Sequence, residues 1–190
     1  MTEKILSGRI AIITGANQGL GRAISKSYVR AGANVMLCAR NYDLLEKVEL
    51  ELNPLLGENQ KIFIKKCDVT NENEVNALVH DTLDKLGGCQ ILVNNAGIYG
   101  PKGAIEDQDW DEWKKAIEIN VFGSVLMCRA LIPHFKRHKY GKIIQLSGGG
   151  ATKPLPNLSV YATSKAAIVR FADTLAEEVR CFGIDVNAIA

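Results

Sequence analysis

The amino-acid sequence predicts an α/β protein in which helices cover both faces of a parallel β-sheet. Strand-like and helix-like segments alternate along all 190 residues, a pattern that favours βαβ units. The strand-like segments are continuous apolar runs, as is typical of strands buried on both faces. A glycine-rich turn joins the first strand to the first helix. These observations predict one domain that spans residues 1–190.

Six short apolar segments are predicted to be strands. The first, Arg9 to Thr14, is rich in β-branched residues and lies between two glycines, which is typical of a buried strand. The fourth leads directly into Asn94-Asn95-Ala96-Gly97. The predicted strands are residues 9–14, 34–39, 61–66, 91–93, 141–146 and 184–189.

Helices are predicted between these strands, and several have recognisable ends. Gly32 follows the first helix, at a position that glycine favours. Asp43 and Asn71 are expected to cap the starts of the second and third helices. Pro133 is expected to end or kink the fourth helix. The predicted helices are residues 20–31, 43–52, 71–86, 109–137 and 159–180.

The order of these elements predicts the topology. Because crossovers between parallel strands are right-handed, the leading arrangement is the doubly wound parallel sheet known as the Rossmann fold. The sequence contains no internal repeat, linker or low-complexity tract.

Composition and charge argue against several classes of function. The net charge of +2 at pH 7 gives no reason to expect nucleic acid or a membrane surface as a partner. No apolar run approaches the roughly 18 residues of a membrane span, and the first residues lack the long apolar core of a signal peptide. We therefore expect a cytoplasmic protein without a nucleic-acid or membrane partner.

The cysteines and histidines do not suggest a metal site. The five cysteines are widely spaced, without a Cys-x-x-Cys pair, so we expect buried or partly buried thiols in a reducing compartment. His134 and His138 are four residues apart, beside several basic residues. We interpret this pair as part of a solvated, basic helix end.

Tyr161 and Lys165 are the first candidates for catalysis. They are four residues apart at the start of a predicted helix, so both side chains face the same side. A free tyrosine has a pKa of about 10. An ammonium about 4 Å away would favour the phenolate by about 4 kcal/mol at an effective dielectric near 20, which is roughly three pKa units. Such a tyrosine could act as general acid or base toward a carbonyl or an alcohol, although Tyr-x3-Lys alone is a weak pattern.

The glycine-rich turn after the first strand predicts a nucleotide site. Glycines let the chain turn tightly and approach a phosphate, and the following helix N-terminus offers free N–H groups and a positive dipole end. An ordinary glycine turn is the alternative, but the position between first strand and first helix favours nucleotide binding. The candidate contacts in this turn are Gly15, Asn17, Gln18, Gly19, Leu20 and Gly21.

The end of the second strand indicates which dinucleotide the site prefers. NAD sites tend to place an acidic residue there for the ribose hydroxyls, whereas a nearby arginine suits the 2′-phosphate of NADP. This chain has Arg40 at that end and no acidic residue before Asp43. We therefore expect NADP in preference to NAD, with a surface cation as the alternative interpretation of Arg40.

Taken together, these motifs resemble the short-chain dehydrogenase/reductase family, in its classical type. The resemblance spans essentially the whole chain, and it depends on the order of motifs that are individually weak. The motifs are Thr14-Gly15-x3-Gly19-x-Gly21, Asp68-Val69, Asn94-Asn95-Ala96-Gly97, Asn120, a serine after the fifth strand and Tyr161-x3-Lys165.

The resemblance implies a dinucleotide site and an oxidoreductase. The glycines would hold the pyrophosphate, the Asp-Val pair would contact the adenine, and the Asn-Asn-Ala-Gly segment would brace the sheet beside the cofactor. The residues with these implied roles are Gly15, Gly19 and Gly21, then Asp68 and Val69, and then Asn94, Ala96 and Gly97.

The resemblance also implies catalytic roles. Tyr161 would give a proton to the carbonyl oxygen as hydride arrives, and Lys165 would hold the nicotinamide ribose and depress the tyrosine pKa. Asn120 would anchor a water that links Lys165 to solvent. The residues themselves show Asn120 interrupting an apolar helix face, which is costly unless the side chain is partnered or functional.

The chain departs from the family pattern at the serine. The family serine that polarises the carbonyl lies thirteen residues before the tyrosine, and Gly148 occupies that position here. Ser147 is one residue earlier, and we assign it the role on the assumption that the loop carries one extra residue. Without this donor the rate could fall by about 10² to 10³.

A second departure concerns the end of the chain. The family continues beyond the sixth strand with a substrate-covering segment, another helix and a seventh strand, so we expect residues 1–190 to be incomplete at the C-terminus. The family pairs through its long helices, and small residues such as Ala162 and Ala166 would permit close approach. We therefore expect a homo-oligomer.

The leading hypothesis is an NADP-preferring oxidoreductase that interconverts a carbonyl and a secondary alcohol. The alternatives are a nucleotide-binding module without catalysis and a fragment without a function of its own. Tyr99 and Leu155, in the loops after the fourth and fifth strands, suggest a partly apolar substrate pocket, but the substrate itself is not predicted.

Overall fold

The computed structural model describes residues 4–190, which form one parallel sheet with helices on both of its faces. All neighbouring strands pair in parallel. The six strands are β1 (Ile10–Thr14), β2 (Asn34–Ala39), β3 (Ile62–Lys66), β4 (Ile91–Asn94), β5 (Gly141–Leu146) and β6 (Ile184–Ile189).

The helices fill the connections between successive strands. Each predicted helix is present, and its bounds differ from the prediction by one or two residues at most, apart from the fourth, which is divided. The helices are α1 (Gly19–Arg30), α2 (Tyr42–Leu52), α3 (Glu72–Leu86), α4 (Trp110–Ile117), α5 (Gly123–His138) and α6 (Ser159–Val179).

The strand order determines where a ligand can bind. The order is β3-β2-β1-β4-β5-β6, which confirms the doubly wound Rossmann topology. From β1 the chain adds β2 and β3 toward one edge of the sheet, and from β4 it adds β5 and β6 toward the other edge. The chain therefore leaves a crevice beyond the carboxyl ends of β1 and β4, which is where such sheets bind ligands.

The sheet is buried because apolar helix faces cover both of its sides. On one side, Ile12 and Leu92 of the sheet pack with apolar residues of α3, α5 and α6. On the other side, Ile13 and Val93 pack with residues of α1 and α2. The expectation of continuous apolar strands fails at β6, where Asp185 and Asn187 alternate with buried residues. This strand lies at one edge of the described sheet and buries a single face.

One predicted helix cap is wrong. The cap of α2 is Asn41, whose side chain accepts a hydrogen bond from Leu44 N at 3.0 Å, and not Asp43, which lies in the first turn. Pro133 does not end its helix, because α5 continues to His138, and a kink at Pro133 stays a prediction. The cap of α3 is Asn71, as predicted.

The long predicted helix contains an irregular turn. Between α4 and α5, residues Glu118–Phe122 form a π-helical segment, an insertion that often marks functional positions. The insertion places Asn120 in the protein interior, where it is 2% exposed. Periodicity alone does not predict such a turn, since the apolar pattern runs through it.

The combined helix Trp110–His138 is long and apolar enough to pass a test for membrane spans. Its most apolar window has a mean hydropathy of 1.4, and 44% of that window is buried inside the protein. This segment is not an uninterrupted apolar run, because charged and polar residues are interspersed along it, and the sequence prediction considered only uninterrupted runs. The core helix of a protein without a membrane also passes this test, so the finding by itself assigns no membrane role.

The cysteines and histidines differ from expectation in two places. All five cysteines are free thiols, but Cys181 is exposed whereas the other four are buried. His134 is 6% exposed, so the prediction of a solvated helix end is wrong for this residue. Its ring lies against the backbone of Cys89, with Nε2 3.2 Å from the amide nitrogen and 3.1 Å from the carbonyl oxygen.

Candidate functional site

A cleft with a volume of about 610 Å³ opens at the carboxyl ends of β1, β2 and β4. This volume lies within the range of cofactor and small-molecule sites, about 300 to 1,000 Å³. Its lining contains most of the predicted dinucleotide contacts. The lining residues are Gly15, Asn17, Gln18, Gly19, Leu20, Gly21, Ala39, Arg40, Asn41, Cys67, Asp68, Val69, Asn95, Ala96, Gly97, Ile98, Tyr99 and Ile119.

The glycine-rich turn forms one wall of the cleft, and two of its glycines have no room for a side chain. Gly15 has a φ of +62°, and a Cβ on it would lie 2.9 Å from Ala96 Cα. A Cβ on Gly21 would collide with the carbonyl oxygen of Gly15. The turn is therefore pressed against the loop after β4, and its outer side faces the cleft.

The first turn of α1 offers hydrogen-bond donors to this cleft. Gln18 is the N-cap residue, and its side chain makes no capping hydrogen bond. The first N–H groups of a helix lack partners within the helix and carry the positive end of its dipole. A pyrophosphate lying on Gly19 and Leu20 would satisfy these donors, so the geometry of the turn fits the group that the sequence predicts.

The ends of β2 and β3 line the cleft on the adenine side of the predicted site. Arg40 is exposed and follows β2 directly. Asp68 uses Oδ1 to accept hydrogen bonds from Thr70 N at 3.0 Å and Thr70 Oγ1 at 2.8 Å. These bonds hold the carboxylate in one orientation at the cleft wall beside Val69, which is consistent with recognition of a base edge.

The loop after β4 is fastened to the glycine-rich turn by Asn95. Its side-chain nitrogen donates to Thr14 O at 2.9 Å and to Gly15 O at 3.1 Å. Thr14 Oγ1 accepts from the backbone nitrogens of Asn95 and Ala96, each at 3.0 Å. Thr14 and Asn95 belong to the motifs quoted above, but they were not among the predicted site residues.

Asn94 does not line the cleft. It is 3% exposed, and its side chain donates to Ser124 O at 3.2 Å and to Cys128 Sγ at 3.5 Å. The alternation of side chains along β4 explains the difference, since Asn94 turns into the core while the next residues pass over the sheet edge. Its contribution is to brace the sheet beneath the cleft.

Tyr161 and Lys165 lie on one side of α6, as the spacing predicts. Lys165 Nζ is 5.6 Å from the centre of the Tyr161 ring and donates to Leu146 O at 2.6 Å. A Cβ on Gly97, which lines the cleft, would be 3.7 Å from Lys165 Nζ. Lys165 is 6% exposed. Neither Lys165 nor Tyr161 lines the cleft itself, but the Lys165 ammonium lies behind Gly97 of the cleft wall.

The pKa expectation for Tyr161 is wrong in this structure. Burial raises the pKa of Tyr161 above its usual value, and the neighbouring Tyr99 raises it further. Burial lowers the pKa of Lys165. The sequence argument considered only the attraction between ammonium and phenolate, whereas desolvation acts in the opposite direction. Tyr161 is consequently protonated at neutral pH, which is the form that can donate a proton.

The structure separates Ser147 from the Tyr161 hydroxyl. Ser147 Oγ donates to Lys165 O at 3.4 Å, a long distance for a hydroxyl donor. The neighbouring Gly148 instead faces the tyrosine, because a Cβ on it would lie 2.9 Å from Tyr161 Oη. Position 148, which is where the spacing of the family places its serine, therefore lies beside the phenol hydroxyl. In this chain that position is a glycine and offers no side-chain donor.

Asn120 connects the π-helical turn to two parts of the site. Its Oδ1 accepts from Ile98 N at 2.8 Å, and its Nδ2 donates to Ile98 O at 2.8 Å and to Ser164 Oγ at 2.9 Å. Ser164 in turn donates to Tyr161 O at 2.8 Å. The buried amide is thus fully partnered, and it ties the loop after β4 to the helix that carries Tyr161 and Lys165.

Tyr99 lies beside Tyr161, although sequence reasoning named it only as an apolar contribution to a substrate pocket. The two ring centres are 4.7 Å apart and the rings are tilted by 36°. Lys102 Nζ lies 5.1 Å from the Tyr99 ring centre. No spacing rule relates a loop tyrosine to a helical one, so only the folded loop reveals the contact.

The chain is similar to proteins of one enzyme family. A family model described as short chain dehydrogenase matches residues 9–190. The chain is 35% identical to 7alpha-hydroxysteroid dehydrogenase of Escherichia coli (strain K12) over 185 residues, which is 97% of this chain and 71% of that protein. It is 32% identical to L-fucose dehydrogenase of Oryctolagus cuniculus over 185 residues, 97% of this chain and 62% of that protein.

Solved structures agree with this similarity. NAD⁺-bound xylitol dehydrogenase superposes with a TM-score of 0.93 at 29% identity, covering 97% of this chain and 70% of that one. A metagenomic short-chain oxidoreductase in complex with NADP superposes with a TM-score of 0.89 at 31% identity, covering 96% of this chain and 81% of that one. These two neighbours carry different dinucleotides.

Proposed function

The chain belongs to the short-chain dehydrogenase family, and on that premise we propose that it is an oxidoreductase that transfers hydride between NADP(H) and a carbonyl or secondary alcohol. The observation that carries the proposal is the position of Lys165, whose ammonium lies beside both the Tyr161 ring and Gly97 of the cleft wall. A proton donor and a cation thus stand at the edge of a cleft that fits a dinucleotide.

The cleft residues would bind and orient the cofactor. The pyrophosphate would lie on the N–H groups at the start of α1, around Gly19, and the adenine would lie beside Asp68 and Val69. A bound nicotinamide dinucleotide supplies or accepts the hydride. The Lys165 ammonium, directed at the cleft wall, would donate to the hydroxyls of the nicotinamide ribose.

Tyr161 would handle the proton. Its raised pKa keeps Oη protonated at neutral pH, so in the reducing direction it can donate to the carbonyl oxygen as negative charge develops there. The phenolate that forms would be stabilised by the Lys165 ammonium, which lies 5.6 Å from the centre of the Tyr161 ring. In the oxidising direction the same tyrosine would have to be ionised first, so oxidation should require more alkaline conditions.

Ser147 and Asn120 would support this step. Ser147 could polarise the carbonyl if its hydroxyl exchanged the 3.4 Å contact with Lys165 O for the substrate oxygen. Asn120 would hold the loop after β4 and the Tyr161 helix at a fixed separation, through its bonds to Ile98 and Ser164. We propose this positioning role beside the water-anchoring role that the family resemblance implies.

Arg40 supports NADP as the preferred cofactor. It lines the cleft directly after β2, where a guanidinium can make two parallel hydrogen bonds to a 2′-phosphate. The first acidic side chain after β2, Asp43, lies in the first turn of α2 and does not line the cleft. Both facts favour a phosphate over free ribose hydroxyls at this end of the cleft.

One experiment on the wild-type protein and Tyr161→Phe tests the proposal. Each protein is titrated with NADPH and with NADH, following nicotinamide fluorescence, and is then screened for turnover of aldehydes and ketones. We expect both proteins to bind NADPH more tightly than NADH, and only the wild type to turn over a carbonyl. Near-full turnover by Tyr161→Phe would contradict the mechanism, and a preference for NADH would contradict the Arg40 assignment.

A second candidate function is a nucleotide-binding module without catalysis. The observation that favours it is Gly148, which leaves the space beside Tyr161 Oη without a side-chain donor. This candidate predicts that wild type and Tyr161→Phe bind NADPH alike and that neither turns over any carbonyl. The experiment above therefore separates the two functions.

We further propose that the protein is a cytoplasmic homo-oligomer paired through its long helices, the first formed by α4 and α5 and the second by α6. Support comes from exposed apolar and small residues along these helices, such as Phe122 beside α5, which is 55% exposed, and Ala166 of α6. Four buried free thiols suit a reducing compartment. Light scattering on the purified protein would report the oligomeric state.

A further inference from the structure

A second pocket adjoins the cleft on the outer side of the loop after β4. It has a volume of about 380 Å³. We call it the side pocket, and its lining residues are Arg40, Ile98, Tyr99, Gly100, Glu112 and Lys115. The first three of these also line the cleft, so the side pocket is a lateral extension of the cofactor site. None of the roles proposed above uses Gly100, Glu112 or Lys115.

Lys115 lies in α4, just before the π-helical segment that contains Ile119. Lys115 lines the side pocket and Ile119 lines the cleft, and the two openings share Arg40, Ile98 and Tyr99. The side pocket thus receives charge from two elements that are distant in sequence, since Arg40 comes from the end of β2.

Gly100 keeps the floor of the side pocket in place. Its φ is +72°, and a Cβ on it would lie 2.6 Å from Val160 Cγ1 and 2.8 Å from Ala116 Cβ. The loop is consequently packed between α4 and α6 without room for adjustment. A pocket with a fixed floor holds its polar groups at defined positions, which lowers the entropic cost of binding.

The charge in the side pocket is predominantly positive and is not neutralised by the protein. Within residues 4–190, neither Arg40 nor Lys115 forms an ion pair. Glu112 is the one acidic residue in the lining. The adjacent Lys114 differs, because its Nζ pairs with Asp111 Oδ1 at 2.7 Å and it does not line the pocket.

We propose that the side pocket binds an oxyanion, a phosphate or a carboxylate, between Arg40 and Lys115. A planar guanidinium and a compact ammonium that line one pocket can share such a group, the first through paired N–H donors and the second as a point charge. The proposal rests on the proposed function in one respect, that the oxyanion belongs to a ligand of the same cleft.

Two ligands could carry this oxyanion, and Lys115→Gln distinguishes them. If the anion is the 2′-phosphate of the dinucleotide, Lys115→Gln should weaken NADPH binding by about threefold to tenfold, the effect of a partly exposed charged contact, and leave NADH binding unchanged. If the anion belongs to the substrate, the variant should weaken binding of 4-carboxybenzaldehyde by a similar factor and leave its methyl ester unaffected. Calorimetry on the purified protein measures all four affinities without requiring turnover.

Two further variants make the test specific. Lys114→Gln removes a neighbouring positive charge outside the pocket and should change none of the four affinities. Glu112→Gln removes the opposing carboxylate and should tighten whichever anionic ligand Lys115→Gln weakens. Both effects should shrink as salt is added, because partly exposed charges are screened.

The proposal fails if Lys115→Gln and Lys114→Gln have equal effects on every ligand, or if Glu112→Gln weakens the anionic ligand. Its failure is distinct from failure of the proposed function. If the wild type bound neither NADPH nor NADH, the dinucleotide assignment would be wrong, while a Lys115-dependent difference between 4-carboxybenzaldehyde and its methyl ester would still support the side pocket.

Discussion

At the scale of single residues, the environment of Tyr161 depends on contacts from three parts of the chain. Tyr99 lies against its ring, Lys165 approaches from one turn along α6, and Gly148 leaves space beside its hydroxyl. Burial and the Tyr99 phenol both raise its pKa. The chemistry of this tyrosine is therefore decided as much by a loop residue as by the lysine that its motif contains.

Replacing Tyr99 should affect turnover through the position of the Tyr161 ring. Tyr99→Leu removes an aromatic pair worth about 0.5 to 1.5 kcal/mol, and we expect kcat to fall by about threefold to tenfold. Tyr99→Phe keeps the ring and removes the ionisable hydroxyl, so kcat should be preserved. Because one cause that raises the Tyr161 pKa is then lost, the alkaline limb of the pH–rate profile should move to lower pH.

The control for this prediction is Tyr140→Leu. Tyr140 lies just before β5, at the amino end of the sheet, where Arg9 and Lys142 contact its ring, far from the cleft. This variant should change neither kcat nor the pH profile. Equal losses of kcat in Tyr99→Phe and Tyr99→Leu would show that packing of the ring is not what Tyr99 contributes.

At the scale of elements, the site depends on a connection between α6 and the π-helical turn. Ser164 lies between Tyr161 and Lys165 in sequence and is fully buried. Its hydroxyl accepts from Asn120 and donates to Tyr161 O. A short series of buried hydrogen bonds thus fixes the position of α6 relative to the loop after β4. Asn120, the central residue of this series, belongs to the turn at Glu118–Phe122.

Ser164→Ala should lower kcat more than it lowers affinity for nucleotide. The change removes one partner of a buried amide, which costs about 1 to 3 kcal/mol, and allows α6 to shift relative to the cleft. We expect kcat to fall by about tenfold, since small misplacements of reacting groups are costly, with the dissociation constant for NADPH changed less than twofold.

Thr82→Ala provides the matched control. Thr82 is fully buried in α3, and its hydroxyl donates only to Leu78 O, at 2.7 Å. This variant should lower the melting temperature to a similar extent and leave kcat unchanged. If Ser164→Ala and Thr82→Ala lowered both the melting temperature and kcat to the same extent, Ser164 would have a structural role only.

At the scale of the whole molecule, the opposite end of the sheet contains a group whose protonation opposes folding. His134 is buried in α5, and burial lowers its pKa, with the nearby His138 and Arg137 lowering it further and the Cys89 backbone opposing them. A histidine whose folded pKa lies below the unfolded value, about 6.5, binds protons more readily in the unfolded chain. Stability is therefore complete above that value and is lost as pH falls toward the folded pKa.

We expect the melting temperature to be constant from pH 8 to about pH 7 and to decrease as the pH falls below about 6.5. In His134→Gln, which cannot be protonated, this decrease should be smaller, although the protein is less stable at pH 8. His80→Gln is the control, because His80 has a side chain that is 83% exposed, and its profile should match the wild type. Thermal denaturation followed by circular dichroism measures all three, and identical pH profiles would contradict the role of His134.

Much of the fold follows from local patterns in the sequence. Strand positions and the limits of α1, α3 and α6 were predicted within two residues, because apolar periodicity, Asn71 at a helix start and glycines at helix ends act over short distances. The topology followed from the alternation of elements and the handedness of crossovers. The cleft residues of the glycine-rich turn were predicted for the same reason, since a strand, a turn and a helix that are consecutive in sequence form that wall.

The tertiary structure decided those features that require contacts between distant parts of the chain. It placed Asn94 in the core, brought Tyr99 onto Tyr161, and directed Gly148 instead of Ser147 at the phenol. It also reversed the expected direction of the Tyr161 pKa, because burial is a property of the packed molecule and has no local sequence signal. The motifs thus predicted many of the residues that surround the cleft, and packing determined which way each side chain faces and how strongly water can solvate it.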